Sequence, residues 1–237
     1  MATITGPNQS PAGGPLELER PALERWKTHK HGHHWRNAED EFDAAKIGIW
    51  LFLSTEILLF SGMFCAYAVF RMLYPESIAA GSQYLDPRWG GTNTVVLLIS
   101  SWTMAMAIRD VQLNRQFWAT VNLLITLVCA AGFLAIKFTF EYIPKWGEGK
   151  RPGTLFSYPW ATHDHEHVWW SIYYAATGIH AFHVIVGMGL IAWLLYRQRI
   201  RKAYGPTHYT MMEGVGLYWH IVDLVWIFLF PLLYLVH

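Results

Sequence analysis

The sequence predicts an all-α integral membrane protein, a bundle of five transmembrane helices preceded by a polar N-terminal tail. Two observations carry this. Charged residues make up only 15% of the 237 positions while hydrophobic residues make up 53%, against roughly 25% charged in an average soluble domain. The charges are also segregated. Five stretches, 47–70, 91–108, 117–136, 168–196 and 214–236, cover about half of the chain. Of the 18 Lys and Arg and 17 Asp and Glu residues, they contain only Glu56 and Asp223. A hydrocarbon layer about 30 Å thick, crossed by helices of about 20 apolar residues, demands that separation. A soluble enzyme, a secreted disulfide scaffold and a nucleic-acid binder are excluded. Cys65 and Cys129 both fall in apolar spans and read as small buried residues rather than a disulfide.

Residues 1–43 form the tail, expected to be flexible because its first 25 residues lack periodic apolar positions. The membrane domain is 44–237. Its first span, near 44–74, follows the acidic patch Glu39–Asp43 and stops at Pro75. The second, near 91–110, follows Gly90–Gly91. A short turn, Val111–Gln116, leads to the third, near 117–142, as a tight antiparallel hairpin, and Pro144 closes that span. After the longest loop comes the fourth, near 168–196, ended by the basic run RQRIRK, and then the fifth, near 212–236. Twelve Lys and Arg residues flank the spans on the side of the N-terminus and six on the other. This bias places the N-terminus in the cytoplasm and, with five spans, the C-terminus outside a bacterial plasma membrane. The histidine-rich runs HKHGHH at 29–34 and HDHEH at 163–167 read as solvated polar clusters, since neither spacing matches a particular metal geometry.

The polar residues inside the spans are the candidate functional groups. Glu56 lies near mid-membrane, where an acidic residue costs about 2.5–3.5 kcal/mol on insertion scales. It is therefore neutral and hydrogen-bonded to a neighbouring helix, or part of a proton pathway, or facing lipid. His220 and Asp223 are three apart on one face of span five, as an interior pair or a proton relay. His180 and His183 have the same spacing in span four. Ligation of a haem with His220, or a histidine-box metal site, is the sharper reading. Interior polar packing, with Gly178, Gly187 and Gly189 allowing close helix approach, is the one favoured. Lys137 and Glu141 are four apart and can pair, as further interior polar packing, while their place near the interface favours snorkelling as the simpler explanation.

Five blocks together resemble subunit III of the haem-copper oxidases. GIWLFLSTEILLFSGMFCAYAVFR (48–71), NTVVLLISSWTMAMA (93–107), GFLAIKFTFEY (132–142), TGIHAFHVIVG (177–187) and YWHIVDLVWIFLF (218–230) occur in that family's order and spacing. The resemblance implies a non-catalytic subunit of a respiratory terminal oxidase, most simply an aa3-type cytochrome c oxidase, that supports proton uptake and turnover stability in aerobic electron transport. A quinol oxidase or nitric oxide reductase accessory subunit is the alternative within the family, and a transmembrane haem-b protein the alternative outside it. It further implies no catalytic residue or metal in this chain, haem and copper in partner subunits I and II, bound phospholipid, and a place that a larger respiratory supercomplex could include. Glu56 falls at the family's intramembrane glutamate. Lys46 and Arg197 fall at basic positions suited to lipid phosphates. Seven-helix members have two further N-terminal helices that wall a lipid cleft. This chain resembles the five-helix bacterial form, in which that wall is absent or comes from another chain.

With an odd number of spans the termini must face opposite sides. Single cysteines at Ser10 and at His237 should therefore react with an impermeant reagent from opposite faces of intact cells. Reaction of both from one face would remove the five-span topology.

Overall fold

A computed structural model describes residues 38–161, 163–201, 203–206 and 208–236. The HKHGHH run, residues 1–37 of the tail and His237 lie outside the described residues. Helix α1 (Ala38–Leu73) has 36 residues, about 54 Å at 1.5 Å per residue, so it overruns a hydrocarbon layer of roughly 30 Å. It starts earlier than the predicted residue 44 because the acidic patch joins its first turns. Tyr74, disfavoured from helical geometry by the proline that follows it, breaks the chain at φ −133°. A short helix that the hydropathy pattern did not reveal, α2 (Pro75–Gln83), follows with proline in its first turn.

Asp86 caps α3 (Pro87–Gln112), accepting a hydrogen bond from Arg88 N at 2.9 Å. The hairpin to α4 (Gln116–Ile136) is tighter than predicted, since both helices continue into the expected turn. Asn114, at φ 57°, makes the reversal in the left-handed region that Asn tolerates. After Ile136 the helix widens into a π turn, Lys137–Tyr142, and resumes as α5 (Ile143–Gly147). Pro144 was expected to stop this span. It does not, because it occupies the first turn of α5, where a missing N–H is tolerated. A loop with one 3-10 turn, Gly153–Leu155, leads to α6 (Glu166–Arg201), which runs through most of the basic segment expected to end it. Helix α7 (Thr210–Tyr234) completes the chain, with Pro231 in its last turn.

Five of these helical segments are long and apolar enough to cross a membrane. They are not equivalent. Helices α3, α4, α6 and α7 pack as a closed ring, each against two neighbours, and α1 lies outside it along the α6–α7 edge. Half of the apolar window of α7 is buried, against 11% for α1. One flank of α1 consequently exposes Trp50, Leu51, Leu58 and Met72. Cys65, expected to be buried, is exposed on α1 as well. The ring is filled by aromatic side chains, with Trp169, Trp170, Trp219, Trp226 and Phe133 at 1% exposure or less. The indole donors of the two tryptophans on α7 find hydroxyls on α3. Trp219 Nε1 donates to Ser100 Oγ and Trp226 Nε1 to Thr94 Oγ1, each at 3.1 Å. Thr103 and Thr126 close the α3–α4 contact with a hydroxyl bond of 2.8 Å. In a bilayer such bonds and close packing must hold helices together, since lipid is as apolar as leucine.

Of the three glycines assigned to close packing in span four, one has that role. A Cβ on Gly187 would meet the Trp219 ring at 2.7 Å, whereas Gly178 and Gly189 have open space. Gly187→Ala should therefore cost about 1–3 kcal/mol of stability through overpacking, and Gly178→Ala should cost nothing. Thermal midpoints of the two purified variants in one detergent provide the check, and equal midpoints would contradict the assignment.

Candidate functional site

Three of the interior's polar clusters hold the candidate residues, each tying helices together across long sequence separations. The deepest lies at the end of the bundle that carries the C-terminus. The π turn directs Lys137 and Glu141 inward together, at 1% and 2% exposure. They form an ion pair with Lys137 Nζ 2.5 Å from Glu141 Oε2. That same oxygen accepts from Tyr173 OH of α6 at 2.7 Å and from Tyr234 OH of α7 at 2.5 Å. Lys137 also donates to Tyr234 OH at 2.6 Å, and its ammonium lies 5.0 Å from the centroids of both the Tyr173 and Trp226 rings. Snorkelling is thus overturned. The ammonium finds a carboxylate, a phenol and two aromatic faces inside the protein, a better-solvated setting than its helix position alone suggests. Insertions of π geometry into α-helices recur at functional positions.

Glu56 belongs to the second cluster. It is not a solitary acid, since its Oε2 lies 2.8 Å from His183 Nε2 on α6. His183 Nδ1 lies 2.7 Å from the Ile179 carbonyl, which can only accept, so Nδ1 carries a proton. The contact at Nε2 then requires one further proton, held either by an imidazolium donating to the carboxylate or by a carboxylic acid donating to the imidazole. One proton is therefore shared between α1 and α6 at this point, flanked by Phe60 with its ring 5.0 Å from that of His183.

The third cluster corrects the expected His220–Asp223 pair. The two side chains make no direct ion pair. Both meet the Ser101 hydroxyl of α3, His220 Nδ1 at 2.6 Å and Asp223 through its carboxylate. Three residues apart on a helix, their side chains diverge enough for a serine from the facing helix to enter between them. His180 stands apart from His183. Its ring is fully buried between Phe133 and Trp226, at centroid distances of 5.6 and 5.2 Å, while His183 faces α1.

The two basic residues assigned to lipid phosphates have protein neighbours. Lys46 lies 3.7 Å from Glu213 of α7, beside a cavity of about 180 Å³ that both line with Trp50. Arg197 stacks over Trp193 at 4.9 Å and over the ring of Tyr204, in the α6–α7 turn, at 5.5 Å. In the HDHEH segment, Glu166 accepts from His163 N at 3.2 Å at the start of α6. Among the described residues no three His, Cys, Asp or Glu side chains gather where they could hold a metal.

Sequence reasoning missed Tyr173, Tyr234 and Ser101. A signal existed for the first, because Tyr173, Thr177 and His180 recur on one face at i, i+4 and i+7. Tyr234 reads as an ordinary interfacial aromatic, and Ser101 as one hydroxyl among several.

Removing one member of a buried ion pair leaves the other charge uncompensated, at about 3–5 kcal/mol, whereas removing both is far less costly. Lys137→Met should therefore destabilise the protein more than Lys137→Met combined with Glu141→Gln. Thermal midpoints of the purified variants test this, and a double variant as unstable as the single one would show that the pair does not organise its surroundings.

The match with known proteins extends over the whole of this architecture. A family profile described as cytochrome c oxidase subunit III matches residues 26–237. A cytochrome c oxidase subunit 3 from a Synechocystis species is 31% identical over 86% of this chain and 79% of its own length. A cytochrome bo(3) ubiquinol oxidase subunit 3 from Pseudomonas putida is 29% identical over 80% of this chain and 84% of its own. A heme-copper oxidase subunit I+III from Aeropyrum pernix is 29% identical over 86% of this chain, which covers 24% of that longer protein. With the profile spanning all five membrane helices and each of the three polar clusters, the chain belongs to the cytochrome c oxidase subunit III family of the haem-copper oxidases.

Proposed function

We propose that this subunit III carries no redox centre and instead sustains the catalytic subunit beside it, by maintaining a protonatable environment and by holding phospholipid. The observation that carries the reading is the Glu56–His183 contact, which keeps one exchangeable proton within a membrane span at the edge of the ring. The Ser101, His220 and Asp223 cluster adds a second protonatable group on α7. Helix α1, which contributes Glu56, also presents the exposed apolar flank suited to contact with another membrane subunit or with lipid.

Subunits I and II are the proposed partners. A relative named as subunit I and subunit III in one chain supports adjacency to subunit I. The electron donor is taken as cytochrome c because relatives named cytochrome c oxidase subunit 3 stand among the most similar, and the oxidase is proposed to be of the aa3 type. Ubiquinol oxidase and quinol oxidase relatives keep a quinol donor as the second reading. Phospholipid is assigned to the two sides of α1, one at the cavity beside Lys46 and another of about 420 Å³ between α1 and α6, lined by Met63, Phe70 and Ile172 among others. Haem and copper are assigned to the partners, and the location to the bacterial plasma membrane with a cytoplasmic N-terminus.

Oxygen consumption by complexes with and without this chain tests the role. Both should begin at similar rates, and the complex lacking subunit III should then lose activity over many turnovers. Glu56→Gln should give an intermediate decay. Superimposable progress curves would refute turnover support, and a haem spectrum from the isolated chain would refute the assignment of redox centres to its partners.

A further inference from the structure

At the C-terminal end of the bundle, away from both cavities beside α1, the π turn and α5 face the start of α3 across a cavity of about 270 Å³. Tyr84, Trp89, Glu141, Lys145, Glu148 and Lys150 line it. Two of its charged groups have unspent hydrogen-bonding capacity. Lys145 is only 7% exposed and, among the described residues, makes no hydrogen bond or ion pair, its ammonium lying 5.7 Å from the centroid of the Tyr173 ring. Glu141 accepts all of its bonds on Oε2, while its buried Oε1 accepts none. Lys150, buried to the same degree, provides the contrast. It is paired with Glu148 at 2.6 Å and lies 4.2 Å from the centroid of the Tyr84 ring.

Lys145, which has no hydrogen-bonding partner among the described residues, and the carboxylate side chains of Glu141 and Glu148 line the same small cavity and call for a ligand with both signs of charge. A simple anion would answer Lys145 but would face the carboxylates of Asp86, Glu141 and Glu148. A simple cation would meet Lys145 and Lys150. A phosphate joined by a short arm to a primary ammonium answers both. A trimethylammonium group has no N–H to donate to the carboxylate, and a glycerol arm has no positive charge. The surroundings indicate how such a group arrives. Phe140, Ile143 and Trp146 flank the site at 48%, 65% and 44% exposure, and Trp89 stacks on Phe140 with ring centroids 4.0 Å apart. Aromatic residues at the end of a span sit at headgroup level in a bilayer. The cavity lies just below the usual 300–1,000 Å³ of small-molecule pockets, which suits a headgroup and leaves acyl chains against the apolar flank. We propose that this cavity binds the phosphoethanolamine headgroup of a membrane phospholipid, with Lys145 on the phosphate and Glu141 and Glu148 on the ammonium.

The test uses the intact oxidase complex, stripped of lipid by detergent exchange and titrated with dioleoyl phosphatidylethanolamine, phosphatidylcholine or phosphatidylglycerol, with bound lipids counted by native mass spectrometry. The unmodified complex should retain one phosphatidylethanolamine that Lys145→Gln weakens at least tenfold, and Lys46→Gln should leave that lipid in place. Soluble glycerophosphoethanolamine should compete only at far higher concentration. Retention indifferent to Lys145→Gln overturns the proposal. So does equal, Lys145-dependent retention of phosphatidylglycerol, which would mean a site for phosphate alone. Competition by the soluble headgroup as strong as by the lipid would mean a soluble ligand and overturns it too. Should the variant not assemble, a phosphatidylethanolamine with a photoreactive headgroup decides on the unmodified complex. Crosslinks within residues 140–150 are expected, and crosslinks confined to α1 would overturn the site. None of these outcomes depends on whether the subunit sustains turnover.

Discussion

The four-helix ring converges on a single carboxylate oxygen. Glu141 Oε2 gathers donors from the π turn, α6 and α7, and those three elements share no sequence neighbourhood. A membrane interior offers no water to satisfy stray polar groups, so an ionised side chain there must be enclosed by partners or expelled. Enclosing this one fixes the depth of α6 and α7 relative to α4. The aromatic filling follows, because Tyr173, Trp226 and Tyr234 serve both as packing and as the immediate environment of the Lys137 ammonium.

Elsewhere the helices are joined by the same means at smaller scale. Hydroxyls on α3 receive the indole donors of α7, and Ser101 separates His220 from Asp223. Each bond is modest, about 1 kcal/mol or less between transmembrane helices. Together they specify register, which apolar packing alone would leave loosely defined. Gly187 completes the effect by letting the Trp219 ring lie directly against the α6 backbone.

Helix α1 follows a different rule. It is attached to the ring by few strong features, among them the Glu56–His183 contact and the Lys46–Glu213 pair, and cavities lie along its sides. A helix so placed can adjust against lipid or a neighbouring subunit without disturbing the core. A proton held at its junction with α6 lies between the ring and the helix that borders what is outside the bundle. That division, a closed ring with a protonatable helix docked at its edge, is the feature on which the proposed supporting role rests.

The sequence by itself determined the number of spans, their approximate limits, the α3–α4 hairpin and the residue types that had to be accommodated in the membrane. All of these follow from local hydropathy and from the cost of burying charge, which depend on a residue and its near neighbours. Which polar residues meet was decided only by the tertiary structure. Glu56 was legible as an intramembrane acid, but its partner lies 127 positions away. His220 and Asp223 were placed on one face, but the serine between them belongs to α3. Lys137 was read as snorkelling because helix position gives its height in the membrane and not its direction. Direction depends on the π turn and on the ring of aromatic residues from α6 and α7, and those arise from packing among helices that hydropathy treats as equivalent.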